Sequence, residues 1–386
     1  MIWAILMISA GVIAGGGLAM TLINFGVYRR ADAEARPPTP APLITICIPA
    51  RNEQDNIEAC VRSLLANDYP EIEVVVYDDD STDDTPDILR RLSQEDPRVR
   101  IAPHAPLPPG WVGKQHACAQ AAHASRGQWL LFTDSDVRFE PACLRLALDE
   151  ALRLRAQLIS TFPRELTGTL AEALIVPMIH FVLFSYLPMP RMRENPSPAA
   201  SAGCGQFLLV RRDAYDAAGG HESWKDSMHD GIRMPRAIRR AGYRSDLFDG
   251  TDLCSCRMYE GLGQSWRGFA KNAYEGLGSP VLLLFITALH LIGHVLPWVY
   301  LLGIPLGAWD AGGSLPAILA IALAFTQRML LAQRFGQPIL GALLHPVGIV
   351  MMTAIQWHSF VLHITGRRSW RGRSQSTSPT APSATV

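Results

Sequence analysis

The segment Ile72–Asp84, IEVVVYDDDSTDD, joins a run of β-branched and aromatic residues directly to a cluster of aspartates. Valine and isoleucine favour strands, and a strand that is apolar on both faces is typical of a parallel sheet covered by helices. Residues 43–48 and 129–133 form similar runs, and apolar residues at helical spacing occupy 55–65. The sequence therefore predicts an α/β fold with a mostly parallel sheet and helices on both faces.

Acidic residues follow two of these predicted strands. Asp78, Asp79 and Asp80 come after one strand, and Asp134 and Asp136 come after another. Either cluster alone is also consistent with a polar turn. In open parallel sheets, however, ligands bind beyond the carboxyl ends of the strands, so we expect both clusters at one edge. Neighbouring carboxylates repel each other unless a cation lies between them, which favours Mg²⁺ or Mn²⁺ together with a nucleotide diphosphate.

The 35 basic and 35 acidic residues of the 386-residue chain cancel, but their distribution is uneven. The balance indicates no strongly basic face, so nucleic acid is not an expected partner. Residues 1–28 contain no charged side chain, and residues 281–366 contain only three. Apolar runs of this length are typical of membrane spans. We predict an N-terminal transmembrane anchor at 1–28 and, at 280–366, a C-terminal membrane region with about three apolar spans.

Between these runs the sequence predicts a soluble domain at 43–279, separated from the anchor by a proline-rich linker at 29–42. Arg29 and Arg30 directly follow the anchor, and the tendency of basic residues to stay inside predicts a cytoplasmic soluble domain. We therefore expect an integral protein of the cell (inner) membrane. The tail at 367–386 is basic at first and then rich in Ser, Thr and Pro, which is typical of disorder.

An apolar segment at 170–187 lies inside the predicted soluble domain and carries a single acidic residue, Glu172. Pro177 and His180 interrupt it, so it is a poor candidate for a span. We predict an interfacial helix that dips into the leaflet and gives a lipid access to the site, with a buried core helix as the alternative.

Two histidines in the C-terminal membrane region, His290 and His294, are spaced to share a helix face. This spacing is compatible with a metal or haem ligand pair. No cysteine or carboxylate accompanies them, however, so we expect histidines that pack between helices.

Several short motifs occur in a characteristic order along the soluble part of the chain. They are Ile48-Pro49-Ala50-Arg51-Asn52-Glu53, Val75-Val76-Tyr77-Asp78-Asp79-Asp80-Ser81-Thr82-Asp83, Gly110-Trp111-Val112-Gly113-Lys114, Thr133-Asp134-Ser135-Asp136, Ala218-Gly219-Gly220, His229-Asp230 and Gln264-Ser265-Trp266-Arg267. Together they resemble the membrane-associated family 2 glycosyltransferases of the GT-A fold, over roughly residues 43–275. Within that family the chain is most similar to hopanoid-associated and carotenoid-type lipid glycosyltransferases.

The resemblance implies a Rossmann-like GT-A domain and a role for each matching residue. It implies Asp230 as the catalytic base, Asp136 as the metal ligand for Mg²⁺ or Mn²⁺, and Asp79 as an acceptor from uracil. The residues that it implies in donor binding are Pro49, Ala50, Arg51, Glu53, Asp79, Lys114, Asp134, Gln264 and Arg267. From the residues alone, two alternatives stay open. Lys114 is compatible with a solvated surface lysine, and Asp230 is compatible with a purely structural residue.

Two positions depart from the family pattern. His229 stands where the family usually has a glutamate before the catalytic aspartate, which leaves the proton relay open. Gly268 stands where polymer-forming members carry a tryptophan that holds the growing glycan. This second departure favours transfer of one sugar over polymerisation.

The resemblance thus predicts an inverting, metal-dependent glycosyltransferase that moves a single sugar from a nucleotide sugar, expected to be UDP-linked, to a membrane lipid acceptor. One alternative is a polyprenyl-phosphate sugar transferase, whose acceptor phosphate needs no general base. The other is a catalytically decayed membrane protein that binds nucleotide sugars during assembly, which the departures at His229 and Gly268 allow.

Overall fold

The computed structural model describes residues 1–367, 369–370 and 373–374, and it divides into two compact units. The sheet unit contains Tyr28–Arg164, Arg191–Cys256 and the described residues after Ile364. The helical unit contains Met1–Val27, Glu165–Pro190 and Arg257–Ile364. Both units are thus assembled from segments far apart in the chain. The succession of domains and linker predicted from the sequence stays a prediction, and the predicted disorder after Arg367 lies largely outside the described residues.

The strands follow the apolar runs of the sequence. In chain order they are β1 Ile44–Ala50, β2 Ile72–Asp78, β3 Val99–Ile101, β4 Trp129–Phe132, β5 Val137–Phe139, β6 Leu158–Ser160, β7 Arg164–Glu165, β8 Leu208–Arg211, β9 Ser245–Leu247, β10 Cys254–Cys256, β11 Ser369–Trp370 and β12 Arg373–Ser374. β1 is buried along its entire length, and so is β2 up to its final aspartate, as expected for strands covered on both faces.

Seven of the strands form the main sheet, in the order β3-β2-β1-β4-β8-β6-β9. β1 pairs in parallel with both β2 and β4, and this places the ends of β1 and β2 side by side, with Ala50 opposite Asp78. β8 runs antiparallel to both of its neighbours, β4 and β6. The predicted mostly parallel sheet is confirmed, and β8 is the antiparallel strand that the sequence analysis did not predict.

Helices cover the sheet and bring polar residues to its carboxyl edge. The helices of the sheet unit are Ile57–Leu65, Thr85–Glu95, Gly113–Ala124, Cys143–Arg153, Arg212–Ala217 and Asp230–Arg240, with a 3₁₀ turn at Gly220–Trp224. Gly113–Ala124 buries Ala117, Ala121 and Ala122 in the core beneath the sheet, so its first turn is fixed at the edge. A further helix, Met189–Glu194, lies where the chain passes from one unit to the other.

The helical unit consists of apolar helices from three parts of the chain. They are Ile2–Val27, Leu170–Ile175, Met178–Tyr186, Gly261–Ala270, Ala273–Leu277, Pro280–His290, a π turn at Leu291–Val295, Leu296–Gly303, Ser314–Phe335, Ile339–Leu343 and His345–Ile364. Buried amides fasten the first helix: the Asn24 side chain donates to Leu187 O at 2.8 Å, and Gln327 Nε2 donates to Thr21 Oγ1 at 2.8 Å. Such bonds hold apolar helices together where burial in lipid gives little driving force.

Among the described residues, 4 helices are long and apolar enough to cross a membrane: Ile2–Val27, Pro280–Gly303, Ser314–Phe335 and His345–Ile364. They coincide with the apolar runs at both ends of the sequence. The last part of the predicted C-terminal membrane region at 280–366 is divided here, because Ile339–Leu343 is a separate short helix before His345–Ile364. These helices indicate membrane association.

The segment 170–187 differs from its sequence-based prediction as an interfacial helix. It forms two short helices whose apolar side chains are buried in the helical unit, with Ile175 2% and Phe181 0% exposed. Ile175 packs against Ala270 and Ile355 within this unit. The predicted interfacial face is therefore wrong, and the buried alternative describes the segment.

Candidate active site

The carboxyl edge of the sheet carries what we call the rim, residues 51–54, 79–85 and 133–136. Two loops of the rim are joined by hydrogen bonds, since Asn52 N donates to Ser81 Oγ at 2.9 Å and Thr82 N donates to Asn52 Oδ1 at 2.8 Å. Asn52 adopts φ +54°, a left-handed conformation that asparagine tolerates better than most residues. The rim loops are thus a preformed surface.

Arg51 and Asp79 form an ion pair in this surface, as the loops after β1 and β2 meet. Arg51 Nη1 lies 3.5 Å from Asp79 Oδ2, and it also donates to the backbone carbonyl of Asp79. The Asp79 side chain is only 3% exposed, so its orientation is fixed by this arginine. Of the other residues predicted here, Pro49 and Ala50 end β1, and Glu53 is buried with its backbone N–H donating to Thr85 Oγ1 at 2.8 Å.

Lys114 connects two predicted carboxylates at the centre of the site. Its Nζ lies 2.7 Å from Asp134 Oδ1 and 3.2 Å from Asp230 Oδ2. Asp134 follows β4, Asp230 begins the helix Asp230–Arg240, and Lys114 lies in the first turn of Gly113–Ala124. Three elements separated by up to about a hundred residues therefore bring one cation between two carboxylates. The surface-lysine alternative for Lys114 does not describe this geometry, because its side chain is 18% exposed.

Asp230 is held on both carboxylate oxygens. Gln115 Nε2 donates to Oδ1, while Lys114 lies against Oδ2. Burial would raise the pKa of Asp230, but Lys114, His221 and the Gln115 hydrogen bond outweigh it, so the pKa lies below its usual value. The side chain is thus a carboxylate at neutral pH. A carboxylate with a low pKa is a weak base. Asp230 therefore accepts a proton efficiently only after Lys114 has moved away from it.

Asp136 has the opposite electrostatics. Burial, followed by the neighbouring charges of Asp134 and Glu53, raises its pKa to about 7. Its Oδ1 atom is buried and has no hydrogen-bond partner among the described residues. A bound divalent cation would relieve both conditions, so the residues present fit one. No group of three or more His, Cys, Asp or Glu within the described residues could enclose a metal, so substrate oxygens would have to complete the coordination.

Two predicted donor residues belong to the helical unit. Gln264 and Arg267 lie on the helix Gly261–Ala270, where Gln264 Oε1 accepts from Glu260 N at 3.1 Å. Their assignment to the donor stays a prediction. On the same helix, a Cβ at Gly268 would lie 2.1 Å from the Tyr259 ring, so no side chain fits there.

Sequence reasoning missed several residues that shape the site. Gln115 orients Asp230, Cys256 hydrogen-bonds to Asp136, and Gly205 lies beside Asp230, where an added Cβ would be in ordinary contact at 3.7 Å from Oδ2. Only Gln115 carried a usable signal, because it follows Lys114 directly in the first turn of the same helix. His229 directly precedes the helix Asp230–Arg240, and its backbone carbonyl accepts a hydrogen bond from Arg233 N at 3.1 Å.

Comparison with known proteins agrees with this geometry. Residues 45–219 match the model of the Glycosyl transferase family 2 family. The chain is 27% identical over 351 residues to the 4,4'-diaponeurosporenoate glycosyltransferase of Staphylococcus aureus strain MRSA252, covering 87% of this chain and 88% of the relative. The enzyme of that name from strain USA300 is likewise 27% identical, over 349 residues.

A solved structure shares the fold over most of the chain. It is the mannosyltransferase PcManGT from Pyrobaculum calidifontis in complex with GDP-Man and Mn²⁺, with a TM-score of 0.58, 20% identity, and coverage of 93% of this chain and 99% of that one. The predicted GT-A fold and the predicted kinship with lipid glycosyltransferases of the carotenoid type are thereby confirmed. Residues 45–219 thus match family 2 glycosyltransferases, and the chain resembles the 4,4'-diaponeurosporenoate glycosyltransferases over 87% of its length.

Proposed function

We propose that this enzyme transfers a single sugar from a UDP-linked donor to a membrane lipid, with inversion at the anomeric carbon. The observation that carries the proposal is Lys114, which lies between Asp134 and Asp230 at the carboxyl edge of the sheet. Among the described residues, Lys114 is the one cation that forms ion pairs with both carboxylates, and an incoming diphosphate offers it a more highly charged partner. The arrangement is suited to a reaction in which the arrival of an anionic donor changes the state of a base.

Donor binding in this proposal uses two groups of residues, one around Asp79 for the nucleoside and one around Lys114 for the diphosphate and sugar. Asp79, fixed by Arg51, accepts a hydrogen bond from the uracil ring, and the end of β1 at Pro49 and Ala50 lines the nucleoside. Lys114 and Asp134 face the diphosphate and sugar. Gln264 and Arg267 are assigned to the diphosphate only by their resemblance to the family motif. A lysine that binds phosphate acts as a compact point charge, which matches its present role between two carboxylates.

Proton transfer is assigned to Asp230. When Lys114 turns toward the diphosphate, Asp230 Oδ2 is freed, while Gln115 still holds Oδ1. Loss of the neighbouring positive charge raises the basicity of the carboxylate at the moment when an acceptor hydroxyl must be deprotonated. The acceptor oxygen then attacks the anomeric carbon from the face opposite the departing diphosphate, and this inverts the configuration.

A divalent cation, Mg²⁺ or Mn²⁺, would be held by Asp136 together with donor phosphate oxygens. When bound, it supplies positive charge that stabilises the departing diphosphate. The Asp136 carboxylate would be the protein ligand of this cation. Burial raises the pKa of Asp136, and the hydrogen bond from Cys256 acts in the opposite direction, toward the charged form that binds a metal.

The lipid acceptor is supported by two features. The relatives are named for diaponeurosporenoate, and the described chain has 4 helices apolar enough to cross a membrane. Transfer of one sugar is supported by Gly268, because the Tyr259 ring leaves no room there for the tryptophan that polymerising members carry. Arg29 and Arg30 directly follow the first helix, and the tendency of basic residues to stay inside supports a cytoplasmic location for the sheet unit.

Reconstitution tests the proposal. The full chain in lipid nanodiscs with Mn²⁺ is given UDP-glucose, UDP-galactose, UDP-N-acetylglucosamine or GDP-mannose together with a lipid extract of its own cells. We expect one UDP-sugar to yield a mono-glycosylated lipid by mass spectrometry, and nuclear magnetic resonance to show a β-linkage from an α-linked donor. A phosphate-linked product would favour the polyprenyl-phosphate alternative. Donor binding without turnover on any lipid would favour the decayed binding protein.

A further inference from the structure

Arg328 is a buried cation within the helical unit. It lies on the helix Ser314–Phe335, and its side chain is 0% exposed. Nη1 donates to Gln337 Oε1 at 3.3 Å, whereas Nε and Nη2 have no hydrogen-bond partner among the described residues. A guanidinium remains charged in proteins, so this side chain requires an acceptor for two N–H groups and a negative charge.

Glu172, a buried carboxylate of the helical unit, does not supply that charge. Glu172 is fully buried, but it already accepts from Gly168 N and Gly261 N at 2.6 Å and pairs with Arg257 at 3.4 Å. These donors outweigh burial, which acts in the opposite direction, and lower the pKa of Glu172 to about 2. This carboxylate is therefore satisfied without Arg328. No carboxylate pairs with Arg328 among the described residues, so a bound anion would supply the missing counter-charge.

Three histidines lie near the guanidinium. His180, His294 and His345 all interact electrostatically with Arg328. His294 Nδ1 and His345 Nε2 lie 3.2 Å apart, and His345 Nδ1 is buried without a partner among the described residues. Two histidine nitrogens at this separation would suit a metal, but the neighbouring guanidinium repels cations and attracts anions. The cluster therefore favours a negatively charged ligand that also accepts hydrogen bonds.

The two unpartnered nitrogens are on the same edge of the guanidinium. Nε–H and Nη2–H point in parallel from that edge, and this is the fork that binds both oxygens of a carboxylate or phosphate. Arg328 precedes the last helical residue, Phe335, by seven positions, or about 10 Å along the axis. In a hydrocarbon layer about 30 Å thick, this depth lies between the midplane and one interface.

We propose that the helical unit binds the oxyanion head group of a single membrane lipid, with Arg328 as its bidentate partner and His294 and His345 beside it. The ligand is a long-chain carboxylate or a phosphate monoester, both of which fit the fork. This site involves no residue of the rim, and the proposal goes beyond sugar transfer and does not depend on it.

Binding of oleate, dioleoyl phosphatidic acid and oleyl alcohol to the delipidated full chain in detergent tests the site. We expect the parent to bind at least one of the two anions about tenfold more tightly than the neutral alcohol, and the preferred anion identifies the source of the oxyanion. In Arg328→Gln, that anion should bind about tenfold more weakly and the alcohol about equally. Arg334→Gln, on the same helix, is the matched control and should retain the preference.

Equal binding of both anions and the alcohol by the parent overturns the proposal, and so does an Arg328→Gln protein that keeps the preference. If Arg328→Gln does not fold, Arg328→Lys decides, because lysine keeps the charge and loses the fork. We then expect an anion preference reduced to about threefold, and an unchanged preference contradicts bidentate binding.

Discussion

Buried charge is treated differently in the two units of the molecule. In the sheet unit buried charges are grouped with partners, as where Lys114 serves Asp134 and Asp230, or where Glu73 meets Arg100 and Arg126. In the helical unit Arg328 has no such partner within the part of the chain that the structure describes. Asp136 is the corresponding exception in the sheet unit. Since an uncompensated buried charge is costly, both exceptions mark positions where a ligand of opposite charge belongs.

The largest expected effect is on kcat, and it tests whether the buried charge of Asp230 takes part in the reaction or only balances Lys114. Asp230→Asn keeps the size of the side chain and its contact with Gln115, but it removes the proton acceptor. We expect kcat to fall about 1000-fold, within the range for loss of a general base. UDP binding should change little, as measured by calorimetry beside a UDP-release assay. Full activity in this variant would favour a phosphate acceptor.

The comparison between the units is tested directly by replacing each cation with methionine. Lys114→Met leaves two carboxylates without their cation and should cost about 3 kcal/mol of unfolding free energy. Arg328→Met removes an uncompensated charge and should be neutral or stabilising in lipid-free detergent. Thermal unfolding of both variants beside the parent measures this difference. Equal destabilisation would show that Arg328 is neutralised within the protein.

The affinity for Mn²⁺ should depend on pH, because the pKa of its proposed ligand Asp136 is raised. Since that pKa is about 7, protonation competes with Mn²⁺, and Mn²⁺ affinity should fall about 100-fold between pH 8 and pH 5. Asp136→Asn should bind Mn²⁺ weakly at every pH, as followed by electron paramagnetic resonance. A parent whose Mn²⁺ affinity is independent of pH would exclude Asp136 as a ligand.

The same group predicts how stability changes without metal. A carboxyl whose folded pKa is raised stabilises the fold at low pH, and this stability is lost as the pH rises through about 7. In EDTA the parent should therefore unfold at lower temperature at pH 8 than at pH 5. Asp136→Asn should lose this contribution to the difference.

The smallest predicted effect concerns the nucleobase. Asp79→Ala removes the buried partner of Arg51 and the proposed acceptor from uracil. UDP should bind about tenfold more weakly, in line with the loss of one charge-assisted hydrogen bond. The matched control is GDP, whose affinity should change less. Equal binding of UDP and GDP by the parent would remove Asp79 as a reader of uracil.

Local sequence patterns predicted most of the sheet. β2 at Ile72–Asp78 differs from the predicted strand by one residue, because a run of β-branched residues has few alternatives. β8 was missed, since its place between β4 and β6 depends on pairing of Leu130 with Val210 and Leu158 with Val210, which are distant in sequence. The interfacial prediction for 170–187 failed for a similar reason, as composition does not reveal which partner covers an apolar face.

The sequence predicted individual residues of the site, but not the ion pairs and hydrogen bonds that join them. Carboxylates after strands are visible in the sequence, and so is a lysine after glycine. That Lys114 lies between Asp134 and Asp230 depends on three elements meeting in space. Gln115 was missed although it directly follows Lys114, because the pattern sought was one of charged residues, and Arg328 appeared only as one of three charges in a long apolar region. Whether a charge has a partner is a property of the fold.

The hydrogen bond from Gln327 Nε2 to Gly17 O joins residues 310 positions apart. During translation the first apolar helix is therefore complete long before its partner helix exists. At about 5–20 residues per second, the ribosome needs roughly 15–60 s to make the intervening chain. The nascent N-terminal helix must persist through that interval with Thr21 lacking its final partner Gln327, so the helical unit is completed only near the end of synthesis.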